Sequence, residues 1–333
     1  MGRKSSMLLA GDIGGTKTLL GLFEATTARP RAISVHSFTT LDYPALSAIV
    51  NEFIRTGPVE HAAIDRACFG VAGPVISGTA TLTNVPWKVE AGALADEFRL
   101  QRVDLLNDLQ AMAYGVTVLT ESEVHILQKG KAVPDGNIGL IAAGTGLGVA
   151  MLHWVDGQFI PAASEGGHAD FAARNEREIE LLRWLVANNG RADVENVLSG
   201  RGILNLHHVA HAEPCLAVTD LDHPDAAAAI TTAALERRCR GCVETLDMFV
   251  DAYGAEAGNL ALRTLSTGGV FVGGGIAPKV LPAITDGRFM RSFRSKSPYE
   301  ALLSAMPVKV ILNDETGLVG AAVYASRSLK FEV

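Results

Sequence analysis

Hydrophobic residues in this chain fall into short runs punctuated by glycine and, further along, into stripes of helical spacing. Leu8–Phe23 reads as strand, glycine turn, strand, with Asp12 as the one acid at the bend. Ala32–Thr39 reads as a third strand. From Tyr43 to Thr56 the apolar positions Leu46, Ile49, Val50, Phe53 and Ile54 predict a helix. Arg66–Gly73 is a buried strand ending in Gly73-Pro74. Val103–Leu106 is another, followed at once by Asn107-Asp108 and a helix through Tyr114. A second cycle runs from Ile138 to Leu152 and repeats the opening plan around Gly144-Thr145-Gly146, as an internal duplication would. The stretch from Glu176 to about Leu265 is mainly helical, with a helical hairpin within Ala226–Leu265. Gly269–Pro278 gives a strand running into a third glycine turn. The tail adds a strand, Val308–Leu312, and a helix, Gly317–Ser326, that returns to the first domain.

Strands alternating with helices predict an α/β fold with a largely parallel sheet. In such sheets binding groups gather at the carboxyl ends of strands, where Asp12, Gly73 and Asn107-Asp108 all fall. Gly14 and Gly15 can take φ > 0 and present backbone N–H groups, so the first turn can wrap a phosphate. Asp12 can hold a hydrated Mg²⁺ beside it. The same residues also suit a plain hairpin closed by a tight turn. Three such turns are more specific than one: two facing phosphate loops clamp a polyphosphate, and Gly273-Gly274-Gly275 lets a nucleoside lie against bare backbone. There is no G-x-x-x-x-G-K-[ST] sequence, and no G-x-G-x-x-G leads from the first strand into a helix, which argues against Walker-type and dinucleotide folds.

At 333 residues the length suits two domains, and 48% hydrophobic against 20% charged residues excludes a disordered chain. A formal charge of −7 disfavours a nucleic-acid or anionic-membrane partner. The longest uncharged apolar run, Ile138–Leu152, is shorter than the roughly 20 residues of a spanning helix. Four cysteines form no disulfide framework, so a reducing, cytoplasmic setting is expected. Met1–Ser6 has the form of a myristoylation signal but reads as a disordered basic start. Cys239-Arg240-Gly241-Cys242 has the C-x-x-C spacing of redox and zinc sites, yet no second pair accompanies it and its surroundings read as helix. His207, His208 and His211 read as a polar helix face.

The three glycine turns resemble the sugar kinase, actin and Hsp70 superfamily. Leu105–Ala113, Ser164–Ala172, Glu195–Gly200 and Gly269–Pro278, together with the opening turn, resemble in order the motifs of the bacterial-type glucokinase family, across Leu8–Ala322. The resemblance implies a two-lobed actin-like ATPase (ribonuclease H-like) fold, with mixed sheets flanked by helices and the active site in the interdomain cleft. Residues 1–118 and 311–333 would form a small α/β domain, and 119–310 a large α/β domain with helical insertions. It implies an ATP-dependent glucokinase, with Asp108 as the base taking the proton of the sugar 6-hydroxyl. Asn107, Asp108, Glu165, His168 and Glu195 would bind the sugar hydroxyls. Gly11, Asp12, Ile13, Gly14, Gly15 and Thr16 would cradle the terminal phosphates, Asp12 steering Mg²⁺ through water. Gly144, Thr145 and Gly146 would oppose them, and Gly274 and Gly275 would carry adenosine. A homodimer is implied as well.

Lys17 stands where many relatives carry Asn, and Arg201 where Pro is common. The related repressor–kinase group has a cysteine-rich zinc motif beyond its Glu-x-x-His segment; Ala169–Glu178 holds no cysteine, so zinc is not expected in this chain. Taken singly, Asn107-Asp108 also reads as a helix N-cap pair, and Glu165 and His168 as loop residues. Competing readings are a sugar-binding regulatory protein on a kinase fold, another hexose kinase, and an actin-type ATPase that needs no sugar. The few residues before the first strand leave no room for a helix-turn-helix. The donor, ATP or polyphosphate, stays open, with the third glycine turn favouring a nucleoside.

Overall fold

The computed structural model describes residues 6–26, 28–58, 64–82, 85–211 and 214–328. Met1–Ser5, the bulk of the basic start, lie outside the described residues. Contacts divide the chain into two units: Met1–Thr120, Phe159–Ala163 and Asn313–Val333 in the first, Glu121–Gln158 and Ser164–Leu312 in the second. Besides the two end segments, the first unit takes in the short segment Phe159–Ala163.

In the first unit, β1 (Met7–Ile13) turns into β2 (Lys17–Glu24), which is followed by β3 (Arg31–Thr39) and α1 (Leu46–Thr56). Next come β4 (Ile64–Val71), the short strands β5 (Val75–Ile76), β6 (Thr79–Thr81) and β7 (Lys88–Glu90), α2 (Ala91–Glu97), β8 (Arg102–Asn107) and α3 (Asp108–Val116). The main sheet has the order β3-β2-β1-β4-β8. It is mixed rather than largely parallel: β1, β2 and β3 pair antiparallel, and β1, β4 and β8 parallel. The cause is local, because the three residues between β1 and β2 can close a hairpin but cannot make a crossover.

β1 is buried on both faces. Leu8 and Ala10 join one core, while Leu9 and Ile13 join the other with Ile49, Val50 and Phe53 of α1. That explains a nearly continuous apolar strand where a half-exposed one would alternate.

The second unit holds β9 (Val124–Gln128), β10 (Ile138–Ala143), β11 (Leu147–Val155) and β12 (Gln158–Ser164), then four helices. These are α4 (Glu176–Asn189), α5 (Gly200–Ala210), α6 (Ala226–Leu235) and the long α7 (Arg240–Thr264). β13 (Gly269–Gly273), α8 (Leu281–Ile284), α9 (Arg288–Arg294), α10 (Glu300–Ala305) and β14 (Val308–Ile311) complete it. The sheet order is β12-β11-β10-β13-β14-β9. β10 pairs antiparallel with β11 and parallel with β13, as β1 does with β2 and β4, so the repeated glycine turns sit in repeated topology. The core is built around α7, whose Phe249, Tyr253, Ala257 and Leu260 are buried with Ile141 and Val272 of the sheet.

The chain ends in α11 (Thr316–Ser328), which belongs to the first unit and packs on α3 and β1. One expectation fails in α5. His207, His208 and His211 do not make a polar face: His207 is 3% exposed, on the side of the helix that carries Ile203 and Leu206 into the core.

Candidate active site

Within the first unit the expected residues gather at the carboxyl ends of the parallel strands. Asp12 of β1 is level with Gly70 of β4, which is level with Leu106 of β8; one row further, Ile13, Val71 and Asn107 align. Asp108 follows as the first residue of α3. The Gly14 N–H donates to the Lys17 carbonyl at 3.0 Å, closing the turn. Gly14 does not use positive φ, contrary to the expectation; its small size matters because a Cβ would stand 2.9 Å from that carbonyl oxygen. Thr40, which sequence reasoning passed over, braces the turn: its hydroxyl donates to the Gly14 carbonyl at 2.9 Å and its N–H to the Thr16 carbonyl at 3.0 Å.

Burial and the charge of Asp108 push the Asp12 carboxyl up to about 6, against the pull of Lys17. A buried carboxyl raised by a second acid beside it is a setting a hydrated divalent cation relieves, and oxygen donors are what Mg²⁺ takes. The residues present therefore fit the metal expected at Asp12. Lys17 is a counter-charge to this acid.

Asn107 caps α3. Its side-chain oxygen accepts the Leu109 N–H at 2.9 Å, its own N–H donates to Gln110 Oε1 at 3.4 Å, and its Nδ2 donates to the Gly73 carbonyl at 3.2 Å. The capping role that the dipeptide suggests is thus present, and it fixes where Asp108 sits. Asp108 Oδ1 also accepts the Leu109 N–H, at 2.8 Å.

The second unit assembles its own group. Gly144-Thr145-Gly146 joins β10 to β11 with the Gly144 N–H donating to the Gly146 carbonyl at 2.8 Å. Glu195 reaches this turn, Oε2 accepting the Leu147 N–H at 2.8 Å, and its own N–H donates to the Gly167 carbonyl at 2.8 Å. Glu165 and His168 flank that glycine in a single helical turn and are both exposed. The structure therefore brings Gly144–Gly146, Glu165, His168 and Glu195 into one neighbourhood. His168 Nδ1 lies 3.4 Å from Oδ2 of Asp193, a buried acid absent from the sequence-derived set that orients the imidazole. Its only sequence signal is its place two residues before Glu195.

The third turn packs on the end of β10 in the same sheet. Gly274 has φ 81°, and a Cβ there would stand 2.2 Å from the Ala143 carbonyl oxygen, so no other residue fits. Tyr253 of α7 ties the two strand ends, its hydroxyl accepting the Ala143 N–H at 3.1 Å and donating to the Gly273 carbonyl at 3.0 Å. At Gly144 and Gly275 a Cβ would meet nothing within 4 Å, so backbone at both turns faces open space. Bare backbone of this kind suits close approach of a flat or anionic ligand.

A family model described as Glucokinase matches residues 9–328. Among curated proteins, a glucokinase of Nostoc punctiforme is 41% identical over 97% of this chain and 99% of its own length, and one of Synechocystis sp. is 37% identical over 98% and 100%. Among solved structures, a glucokinase from an Antarctic psychrotroph superposes with a TM-score of 0.86 at 29% identity, covering 97% of this chain and all of that one. A ROK family glucokinase from Streptomyces griseus, in complex with glucose and AMPPNP, shares the fold at a TM-score of 0.62 and 22% identity, over 96% and 99%. With actin-like sugar kinases as its structural neighbours and a match that spans both units, the chain belongs to the glucokinase family.

Proposed function

We propose that this protein transfers the γ-phosphoryl group of ATP to the 6-hydroxyl of glucose, giving glucose 6-phosphate and ADP. The observation that carries the reading is the pair of carboxyl groups, Asp12 and Asp108, held at the carboxyl ends of β1 and β8 on either side of β4 in a chain that matches the family along its length. Phosphoryl transfer needs alignment, stabilisation of charge on the phosphoryl oxygens and an acceptor for one proton. Asp108, fixed by the cap on α3, takes the proton of the 6-hydroxyl as that oxygen attacks phosphorus. Asn107 has one amide hydrogen beyond its bond to Gly73 for a neighbouring hydroxyl. Glu165, His168 and Glu195 bind the remaining hydroxyls, with Asp193 orienting His168 and the Leu147 N–H occupying one Glu195 oxygen.

The backbone of Gly11–Thr16 and of Gly144–Gly146 holds the phosphates, and Gly274-Gly275 the adenosine. Mg²⁺ would be held by Asp12 through water and would offset phosphate charge. Each polar sugar contact is also a basis for selection, because a sugar lacking the hydroxyl leaves a site group unpaired. The proposal includes a homodimer, which sedimentation equilibrium tests.

The test is ADP release followed with ATP and Mg²⁺, with and without each member of a hexose panel. Release that requires sugar, with kcat/KM highest for glucose, is the expected result. Sugar-independent release would mean an actin-type ATPase, and glucose binding without turnover a regulator.

A further inference from the structure

The C-x-x-C pair that looks isolated in sequence is not isolated in space. Cys239 and Cys242 open α7, and the end of α5 and the segment after it bring His211 and Cys215 against them. The Cys215 sulfur lies 3.7 Å from that of Cys239 and 3.6 Å from that of Cys242. His211 Nε2 lies 3.3 Å from the Cys239 sulfur. A tetrahedron around zinc, with Zn–S of about 2.3 Å and Zn–N of about 2.1 Å, has edges of about 3.8 Å between sulfurs and about 3.5 Å between sulfur and nitrogen. The measured spacings match those edges, and no disulfide links the three sulfurs.

Two further features point the same way. His211 Nδ1 sits 3.0 Å from the His207 carbonyl oxygen, which can only accept. Nδ1 therefore carries the proton, and the lone pair of Nε2 faces the sulfurs. This is the outer-shell arrangement that metal-ligating histidines use. Gly241, inside the C-x-x-C turn, is what admits the ring: a Cβ there would lie 2.4 Å from His211 Nε2. Beside this group the buried His207 ring stacks on His211 at 3.8 Å between centroids, and its Nε2 is a buried nitrogen with no hydrogen-bond partner among the described residues. His207, His211, Cys215 and Cys242 have ligand atoms all within 4.8 Å of one another.

We propose that His211 Nε2 and the sulfurs of Cys215, Cys239 and Cys242 form a tetrahedral site for a structural Zn²⁺ in the second unit. Three thiolates and one imidazole suit zinc and are a poor set for Mg²⁺ or Ca²⁺. Binding displaces the thiol protons and joins the end of α5 to the start of α7, closing the loop between them. The site borders a surface cavity lined by His211, Pro214, Cys215, Leu216, Cys239 and Arg240, which gives the ion a way in. It differs in position and ligands from the phosphate-site metal at Asp12 and needs neither nucleotide nor sugar.

The test uses the full chain, stripped of metal under reducing conditions and reloaded with Zn²⁺ or Co²⁺ alone. The expected result is one zinc per chain retained through desalting. The cobalt form should show a thiolate charge-transfer band and the intense visible bands of tetrahedral Co²⁺. Cys239→Ser with Cys242→Ser should remove both signals, His211→Ala should weaken zinc retention at least tenfold, and Cys68→Ser should leave both unchanged. Zinc well below one per chain in the unsubstituted protein would overturn the proposal, as would octahedral cobalt without a thiolate band. So would full stoichiometry in the double variant, or a Cys215–Cys242 disulfide formed in place of metal binding. The unsubstituted protein gives its answer whether or not the variants fold.

Discussion

Asp108 and Asp12 are two carboxyl groups of one site with different tasks, and substitution separates them. Asp108→Asn keeps the size of the side chain and removes the proton acceptor. Turnover should fall roughly 10²–10⁴-fold while glucose affinity, read by calorimetry, stays within a few-fold. Asp12 makes a prediction about pH. Its carboxyl is raised from 3.8 to about 6 in the folded protein. Below the lower value both folded and unfolded chains are protonated and the group contributes nothing. Between the two values the folded chain holds a proton that the unfolded chain has lost, so stability falls as pH rises, and above about 6 the loss is complete. Asp12→Asn removes this penalty. In Mg²⁺-free buffer the variant should melt above the parent at pH 8 and together with it near pH 3.5. The same variant should lose the stabilisation that Mg²⁺ with ATP gives the parent. Asp193 was invisible in sequence because its partner, His168, is 25 residues away, and no local period records such a pairing.

The elements that carry these residues are held by caps and close contacts. Asn107 caps α3, so Asn107→Ala should cost about 1 kcal/mol in chemical denaturation, whereas Asn107→Ser should keep the cap. If the amide also serves a sugar hydroxyl, as proposed, the Ser variant should keep its stability while KM for glucose rises. Packing of α3 on α11 is tighter still. A Cβ at Gly320 would stand 1.7 Å from the Ala111 carbonyl oxygen, so Gly320→Ala must push the helices apart and should destabilise by about 3 kcal/mol. Strand β1, its turn and β2 were legible because an uninterrupted apolar run and adjacent glycines are local signals. The Gly14 conformation was not, since φ there is decided by the Lys17 and Thr40 contacts rather than by glycine alone. The His207 face was misread for a similar reason: imidazole counts as polar in a helical pattern, yet this one stacks on His211 inside the fold.

For the molecule as a whole, the repeated strand–glycine–strand plan was readable because both turns lie between apolar runs. The Cys and His group was not, because His211 and Cys239 are 28 residues apart and meet only when α5 packs on α7. The returning tail carries a prediction. A chain ending at Leu312 lacks α11, whose Leu318, Val319, Ala322 and Val323 complete the core beside Leu8, Ala10 and Leu106. In hydrogen exchange the β1 amides of that truncated chain should lose their protection, while those of β10 and β13 keep theirs. The same helix sets a timetable for biogenesis. β1 leaves the ribosome long before α11, so the unit begun first must wait, with an apolar sheet face uncovered, until α11 follows. The later half has all its strands before then and can fold during elongation. Production of this enzyme should therefore respond to holdase chaperones that shield nascent Leu8–Ala10, and slowing translation should not relieve that need.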